Sequence, residues 1–202
     1  MNSKIEMRKT NFTNESFYHI YNRGTEKRDI FLQNYDYFQF IKLLRKYKNN
    51  LVEIICYCLM PNHFHLLLKQ LNNNGISKFM HLLTISYAKY FNKKYDHSGV
   101  LFQGKFKDVQ ILSYIQLLNI SKYIHINPAK DQNILLKQKI ITLENYPWSS
   151  YKDYINIRNG TLCNKTEIIN CVEGNFVKEY KELIKAHLMN YNERNLDKLI
   201  LE

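Results

Sequence analysis

Two histidines flank a phenylalanine in Pro61-Asn62-His63-Phe64-His65-Leu66-Leu67-Leu68. If the run is a strand, side chains alternate between faces, so His63 and His65 point the same way, close enough to share one metal ion. Phe64, Leu66 and Leu68 then enter the opposite layer. A buried strand face calls for apolar residues, but nothing in strand formation calls for two imidazoles on the other face. About sixty residues on, Tyr123 and Asn127 stand four apart in Ser121-Lys122-Tyr123-Ile124-His125-Ile126-Asn127-Pro128, which puts them on one side of a helix, one turn from each other. A tyrosine hydroxyl, with a pKa near ~10, is a poor nucleophile at neutral pH. A divalent ion can polarise a phosphodiester and stabilise charge on its non-bridging oxygens. Two imidazoles and an amide oxygen would supply three ligands and leave positions for phosphate and water. That mixed nitrogen and oxygen set is compatible with Mg²⁺ or Mn²⁺.

Two other readings use the same residues. If Pro61-Asn62 is a two-residue hairpin turn, Met60 pairs with His63 and Cys58 with His65, so Cys56 and Cys58 could join the two histidines in a structural zinc site. A sheet of this kind can also bind a single nucleic-acid strand without catalysis. His19, His81, His97 and His125 are not expected to hold metal; the helical angle turns His125 away from Tyr123.

The elements that must position these groups follow from periodicity. Phe17 to Arg23 alternates and is aromatic-rich, a first strand ending at Gly24. Residues 34 to 47 carry Tyr37, Phe40, Ile41 and Leu44 at helical spacing. Leu51 to Met60 is a second strand, Pro61-Asn62 suits a tight turn, and His63 to Lys69 returns as the third. A helix is expected over residues 76 to 95 and a fourth strand over Val100 to Ile111. Another helix runs from Ser113 to about Ile126, where Ser113 and Gln116 have capping-box spacing and Pro128 disfavours helical geometry at Asn127. The order β-α-β-β-α-β predicts an α+β, ferredoxin-like antiparallel sheet with helices on one face and a C-terminal helical extension. The expected division is a catalytic domain over residues 1–155 and a helical extension over 156–202, packed on the same domain.

Composition fits one core. The 202 residues include 29 Lys and Arg against 18 acids, a net charge of +11, with a pI near 9.4 and a mean hydropathy of -0.44. Residues 161 to 202 sum to -1, so the excess of +12 lies in residues 1 to 160 with the histidines. A polyanion, nucleic acid first, is the expected partner. No run approaches the roughly 18 apolar residues of a membrane span, and the start lacks a signal-peptide core; the expected location is the cytoplasm, with no membrane partner. Four cysteines are too few for a disulfide scaffold.

Taken in order, several segments resemble the REP-associated tyrosine transposases, members of the HUH single-strand DNA transposase superfamily with one catalytic tyrosine. They are Tyr18-His19-Ile20-Tyr21-Asn22-Arg23-Gly24, Leu59 to Leu67, Tyr90-Phe91-Asn92, Gly99 to Phe106, Lys122 to Pro128 and Tyr146-Pro147-Trp148-Ser149-Ser150-Tyr151. The resemblance covers about residues 15 to 155. Phe102 and Lys105 stand where the family usually has Trp and Arg, and Ala129-Lys130 where Val-Arg is common. The resemblance implies that His63, His65 and Asn127 hold Mg²⁺ or Mn²⁺. It also implies that Tyr123 attacks single-stranded DNA beside a hairpin, forming a 5′-phosphotyrosine and a free 3′-hydroxyl before rejoining. A monomer or a homodimer is compatible with it. DNA contacts are expected from Arg23, Lys27, Arg28, Lys93, Lys94, Lys105 and Lys107, and base stacking from Tyr90, Phe102 and Trp148.

Overall fold

The computed structural model describes residues 11–130 and 136–191. Strands β1 (Phe17–Arg23), β2 (Val52–Met60), β3 (His63–Gln70) and β4 (Lys107–Ile111) form one sheet in the order β2-β3-β1-β4, every pair antiparallel. Helix α1 (Asn34–Lys48) links β1 to β2, α2 (Gly75–Lys94) links β3 to β4, and α3 (Tyr114–Ile126) follows β4. After these come α4 (Leu136–Asn145), the short α5 (Tyr151–Tyr154) and α6 (Thr166–Ile169), and α7 (Phe176–Tyr191). The expected α+β, ferredoxin-like frame is present.

The helices lie on both faces of the sheet, not on one as the sequence suggests. Tyr18, Ile20, Phe64, Leu66 and Leu68 pack against Phe40 and Leu44 of α1 and Phe79, Leu83 and Tyr87 of α2. The alternate residues, including Cys58 and Leu67, pack against Leu117, Ile120 and Ile124 of α3 and Tyr180, Ile184 and Leu188 of α7. The physical reason is that β2 and β3 are apolar on both faces. At ~1.5–3 kcal/mol for each large apolar side chain buried, a second helical layer is worth forming. A bulge between Ile54 and Cys56 adjusts the parity of β2, so Ile55 and Cys56 both face the α3 layer.

The β2–β3 turn is anchored from outside the hairpin. Ile30 and Phe31 donate their backbone N–H groups to the Pro61 carbonyl at 2.8 and 3.0 Å, and Gly24 donates to the Asn62 carbonyl at 2.9 Å. Met60 pairs with His63 and Cys58 with His65, as the two-residue turn predicts. Beyond the hairpin, β4 is shorter than expected. Residues 100–106 instead form a loop along the end of β1, where Gln103 N–H donates to the Arg23 carbonyl and Gly104 adopts φ +66°. That left-handed glycine breaks the strand.

Helix α3 starts at the predicted cap. Ser113 Oγ accepts from Gln116 N–H, while Gln116 Oε1 reaches one residue further back, to Leu112 N–H. Residues 148–150 cover the free edge of β2, with Leu59 N–H donating to Trp148 and Ser150 N–H to Tyr57. His125 joins this segment to α7. Its Nδ1 meets Tyr180 Oη and its Nε2 meets Ser150 Oγ, both at 2.8 Å.

Burial pushes the His125 imidazole down to about 3. Between that value and an ordinary ~6.5, the unfolded chain binds a proton that the folded protein refuses. Stability is therefore full above this window and falls as the pH drops through it, by up to about 1.4 kcal/mol per pH unit for this one group. The expected outcome is a shallower loss of urea stability between pH 7 and pH 5 in His125→Gln than in the wild type. Parallel curves for the two proteins would contradict it.

Candidate active site

Strand parity and helix α3 bring Tyr123, His63, His65 and Asn127 together. His63 and His65 project from β3 toward α3, with ring centroids 5.1 Å apart and planes at 88°. The Tyr123 ring stands edge-on to His65 at 5.8 Å, only 9% exposed. Asn127 keeps helical φ and ψ despite the proline after it, and the chain then tightens into a 3-10 turn over Asn127–Ala129. Its side-chain Nδ2 donates to the carbonyls of Tyr123 and Ile124 at 2.9 and 3.2 Å. Pro128 has no N–H to offer the Ile124 carbonyl, which takes the Asn127 backbone N–H instead, and the side chain supplies the donor that the Tyr123 carbonyl would otherwise have from that N–H. Its amide oxygen is left on the side of His63.

The imidazoles are held neutral and oriented. Asn62 Oδ1 lies 2.6 Å from His63 Nδ1. An amide oxygen only accepts, so Nδ1 carries the proton and Nε2 keeps its lone pair. His65 Nδ1 and His19 Nε2 are 2.9 Å apart; with the shared proton on His65, its Nε2 is also a lone-pair donor. Burial, aided by the Lys130 charge, lowers the pKa of His63 to about 4 and of His19 to about 3. Burial and the neighbouring histidines hold His65 well below its ordinary value. Two neutral imidazoles and an amide oxygen fit a divalent ion that leaves room for phosphate oxygens.

The cysteines do not complete a zinc site. Cys58 lies across from His65, but Cys56 pairs with Leu67. Burial raises the Cys58 thiol to about 12 and Cys56 well above its ordinary value, whereas zinc needs thiolates. Among the described residues, no group of three His, Cys, Asp or Glu side chains is placed to hold a metal.

A cleft of about 500 Å³ opens beside His63, lined by Tyr21, Arg23, Lys27, Gln103 and Lys107 among others. Three of the expected DNA-contacting cations therefore share the mouth of the site. Lys105 is exposed beside a second groove of about 590 Å³ between α2 and the 99–106 loop, and Lys93 is exposed at the end of α2. Arg28 is hydrogen-bonded to His97.

Four of the expected contact residues are engaged within the fold itself. Lys94 is engaged with buried Asp36 at 2.7 Å. Tyr90 donates its hydroxyl to the same carboxylate at 2.6 Å, so both tie α2 to α1. Phe102 packs edge-on against Phe64 at 6.0 Å, and Trp148 stacks on Tyr37 at 4.5 Å. Both are buried, so all three base-stacking candidates have packing roles. Large aromatic side chains gain more from the core than from a solvated face.

The sequence reading missed His19, Asn62 and Lys130 as members of the cluster. His19 is 1% exposed, with its ring 5.1 Å from that of His65 and 5.9 Å from that of Tyr123. The signal was available in the β1 pattern, because Tyr21 pairs with His65 and His19 lies two residues away on the same face.

Among the described residues no helix is long and apolar enough to cross a membrane. No curated protein matches the chain. One similar solved structure is that of the REP-associated tyrosine transposase bound to a REP hairpin: 18% identity, 85% of this chain and 92% of that one covered, TM-score 0.55. Another is a Deinococcus radiodurans R1 protein described as a transposase, with 20% identity, 58% and 95% covered, and TM-score 0.41. The family described as Transposase IS200 like matches residues 13–127, a span running from before the first strand to Asn127, and the chain belongs to that family.

Proposed function

We propose that this transposase cleaves and rejoins single-stranded DNA beside a hairpin, with Tyr123 as the nucleophile and a 5′-phosphotyrosine as the intermediate. The observation that carries the reading is the convergence, within one chain, of the Tyr123 ring on His63, His65 and Asn127 at the foot of a basic cleft. The hairpin-bound tyrosine transposase of similar fold supports hairpin DNA as the substrate class. The reading also takes residues 1–155 as the catalytic domain and 156–202 as an extension that buttresses α3, in a cytoplasmic protein. The reading keeps both a monomer and a homodimer; the contact of the His65 and Tyr123 rings within one chain supports the monomer.

His63, His65 and Asn127 would hold one Mg²⁺ or Mn²⁺, which supplies stabilisation for charge on the non-bridging phosphate oxygens. The chain's own residues do the rest. Arg23, Lys27 and Lys107 draw the backbone into the cleft with a salt-dependent attraction. The packing of α3 holds Tyr123 for in-line attack. The Tyr123 oxygen bonds to phosphorus, the bond to the 3′-oxygen breaks, and the phenolic proton is balanced by the one the 3′-hydroxyl gains. Attack by a second 3′-hydroxyl reverses these changes and releases the tyrosine.

The test is a labelled pool of single-stranded hairpins incubated with protein and Mn²⁺ or Mg²⁺, followed by a denaturing gel and peptide mass mapping. A covalent adduct on Tyr123, lost in Tyr123→Phe and at least about 100-fold slower in His63→Ala, is the expected result. Retained hairpin binding with no adduct at any metal concentration would instead make the protein a binding module.

The His19 contact yields a separate expectation. His19→Leu removes the partner of His65 Nδ1, so Mn²⁺ affinity measured by electron paramagnetic resonance should fall about 10- to 100-fold. An unchanged affinity would show that packing alone orients His65.

A further inference from the structure

The interior of the site contains a cation that the roles above leave unused. Lys130, half-buried just beyond the 3-10 turn that follows α3, places its ammonium over the Tyr123 ring, 3.5 Å from the centroid. Its charge acts on His19, His63, His65 and Cys58, and on His187 of α7. The ammonium therefore lies against the histidine and tyrosine cluster, whereas Arg23, Lys27 and Lys107 line the cleft that opens beside His63. A cation on the ring face holds the aromatic ring through its quadrupole. A lysine ammonium offers three donors as a compact point charge. Beside buried groups such as His65 and Tyr123, such a charge acts strongly on whatever negative charge forms next to it.

We propose that Lys130 is a further catalytic residue, a cation that clasps the Tyr123 ring in the resting protein and contacts the phosphate as that phosphate becomes joined to the Tyr123 oxygen. The inference rests on Tyr123 being the nucleophile. In the forward step the bond from the tyrosine oxygen to phosphorus forms and the bond to the 3′-oxygen breaks, and Lys130 keeps its proton throughout. In the rejoining step the same ammonium faces the charge returning to the phenolic oxygen as it leaves. The position also has an unfavourable side, since a cation beside the two β3 histidines repels a divalent ion. That repulsion gives the residue a signature no packing role shares.

The experiment compares wild type, Lys130→Met and Lys130→Arg by three measurements. These are the single-turnover rate of phosphotyrosine formation at saturating hairpin DNA, the hairpin Kd, and the Mn²⁺ Kd without DNA. Lys130→Met should slow the covalent step about 100-fold while hairpin Kd changes less than about threefold. Its Mn²⁺ binding should tighten about three- to tenfold. Lys130→Arg should recover the rate to within about tenfold of wild type. A Lys130→Met rate within about threefold of wild type would overturn the proposal. So would a loss matched by weaker hairpin binding and abolished at saturation, or Mn²⁺ affinity falling together with the rate. If wild type itself forms no adduct while Lys130→Met still tightens Mn²⁺, the nucleophile assignment fails and the location of the charge stands.

Discussion

The hydrogen bonds that Ile30 and Phe31 donate to the Pro61 carbonyl, with that from Gly24 to Asn62, fix the register of β3. In a strand, a slip of one residue exchanges the two faces. A slip here would turn His63 and His65 into the α1–α2 core and expose Phe64 and Leu66 to α3. The turn anchor, the Met60–His63 pairing and the bulge in β2 all oppose that exchange. Everything chemical in the molecule depends on which way β3 faces.

The other constraint is burial. His19, His65 and Asn127 are each less than a tenth exposed, and charged imidazolium is costly in such surroundings. The fold resolves this by keeping the rings neutral and giving each a defined neighbour: Asn62 for His63, His19 for His65, and Tyr180 with Ser150 for His125. His125 sits between Ile124 and Ile126 on α3 but belongs to a different network from Tyr123. It fixes the rotation of the helix from behind while Tyr123 faces the β3 histidines.

The features legible in the sequence are those encoded by short-range pattern. The alternation of β3, the two-residue turn, the Ser113 cap and the one-turn spacing of Tyr123 and Asn127 could all be read from neighbouring residues. Features that depend on long-range contacts could not. The second helical layer depends on both faces of β2 and β3 being apolar once paired. The bulge at Ile55 looks like ordinary strand, and β4 is shortened by the backbone angle of a single glycine. Tyr90 and Lys94 look like surface groups until Asp36, more than fifty positions away, is packed beneath them. His19 joins the cluster only through the pairing of β1 with β3. Cations proved the hardest to sort, because charge alone does not distinguish the mouth of a cleft from its interior.

Asn127 shows how backbone and chemistry can select the same side chain. Its side-chain nitrogen donates to the Tyr123 and Ile124 carbonyls at a helix end where Pro128 brings no N–H and the Asn127 backbone N–H goes to Ile124, and its oxygen lies on the side of His63. A carboxylate at this position would set negative oxygens against those carbonyls and strip the helix of two donors, whatever it offered a cation. An aliphatic residue would lose both functions. The helix end therefore favours at position 127 a group that donates on one edge and accepts on the other, so this side chain brings no charge of its own to His63, and the charges acting there are those of Lys130 and Arg23. Position 128 thereby helps set the electrostatics of the pocket.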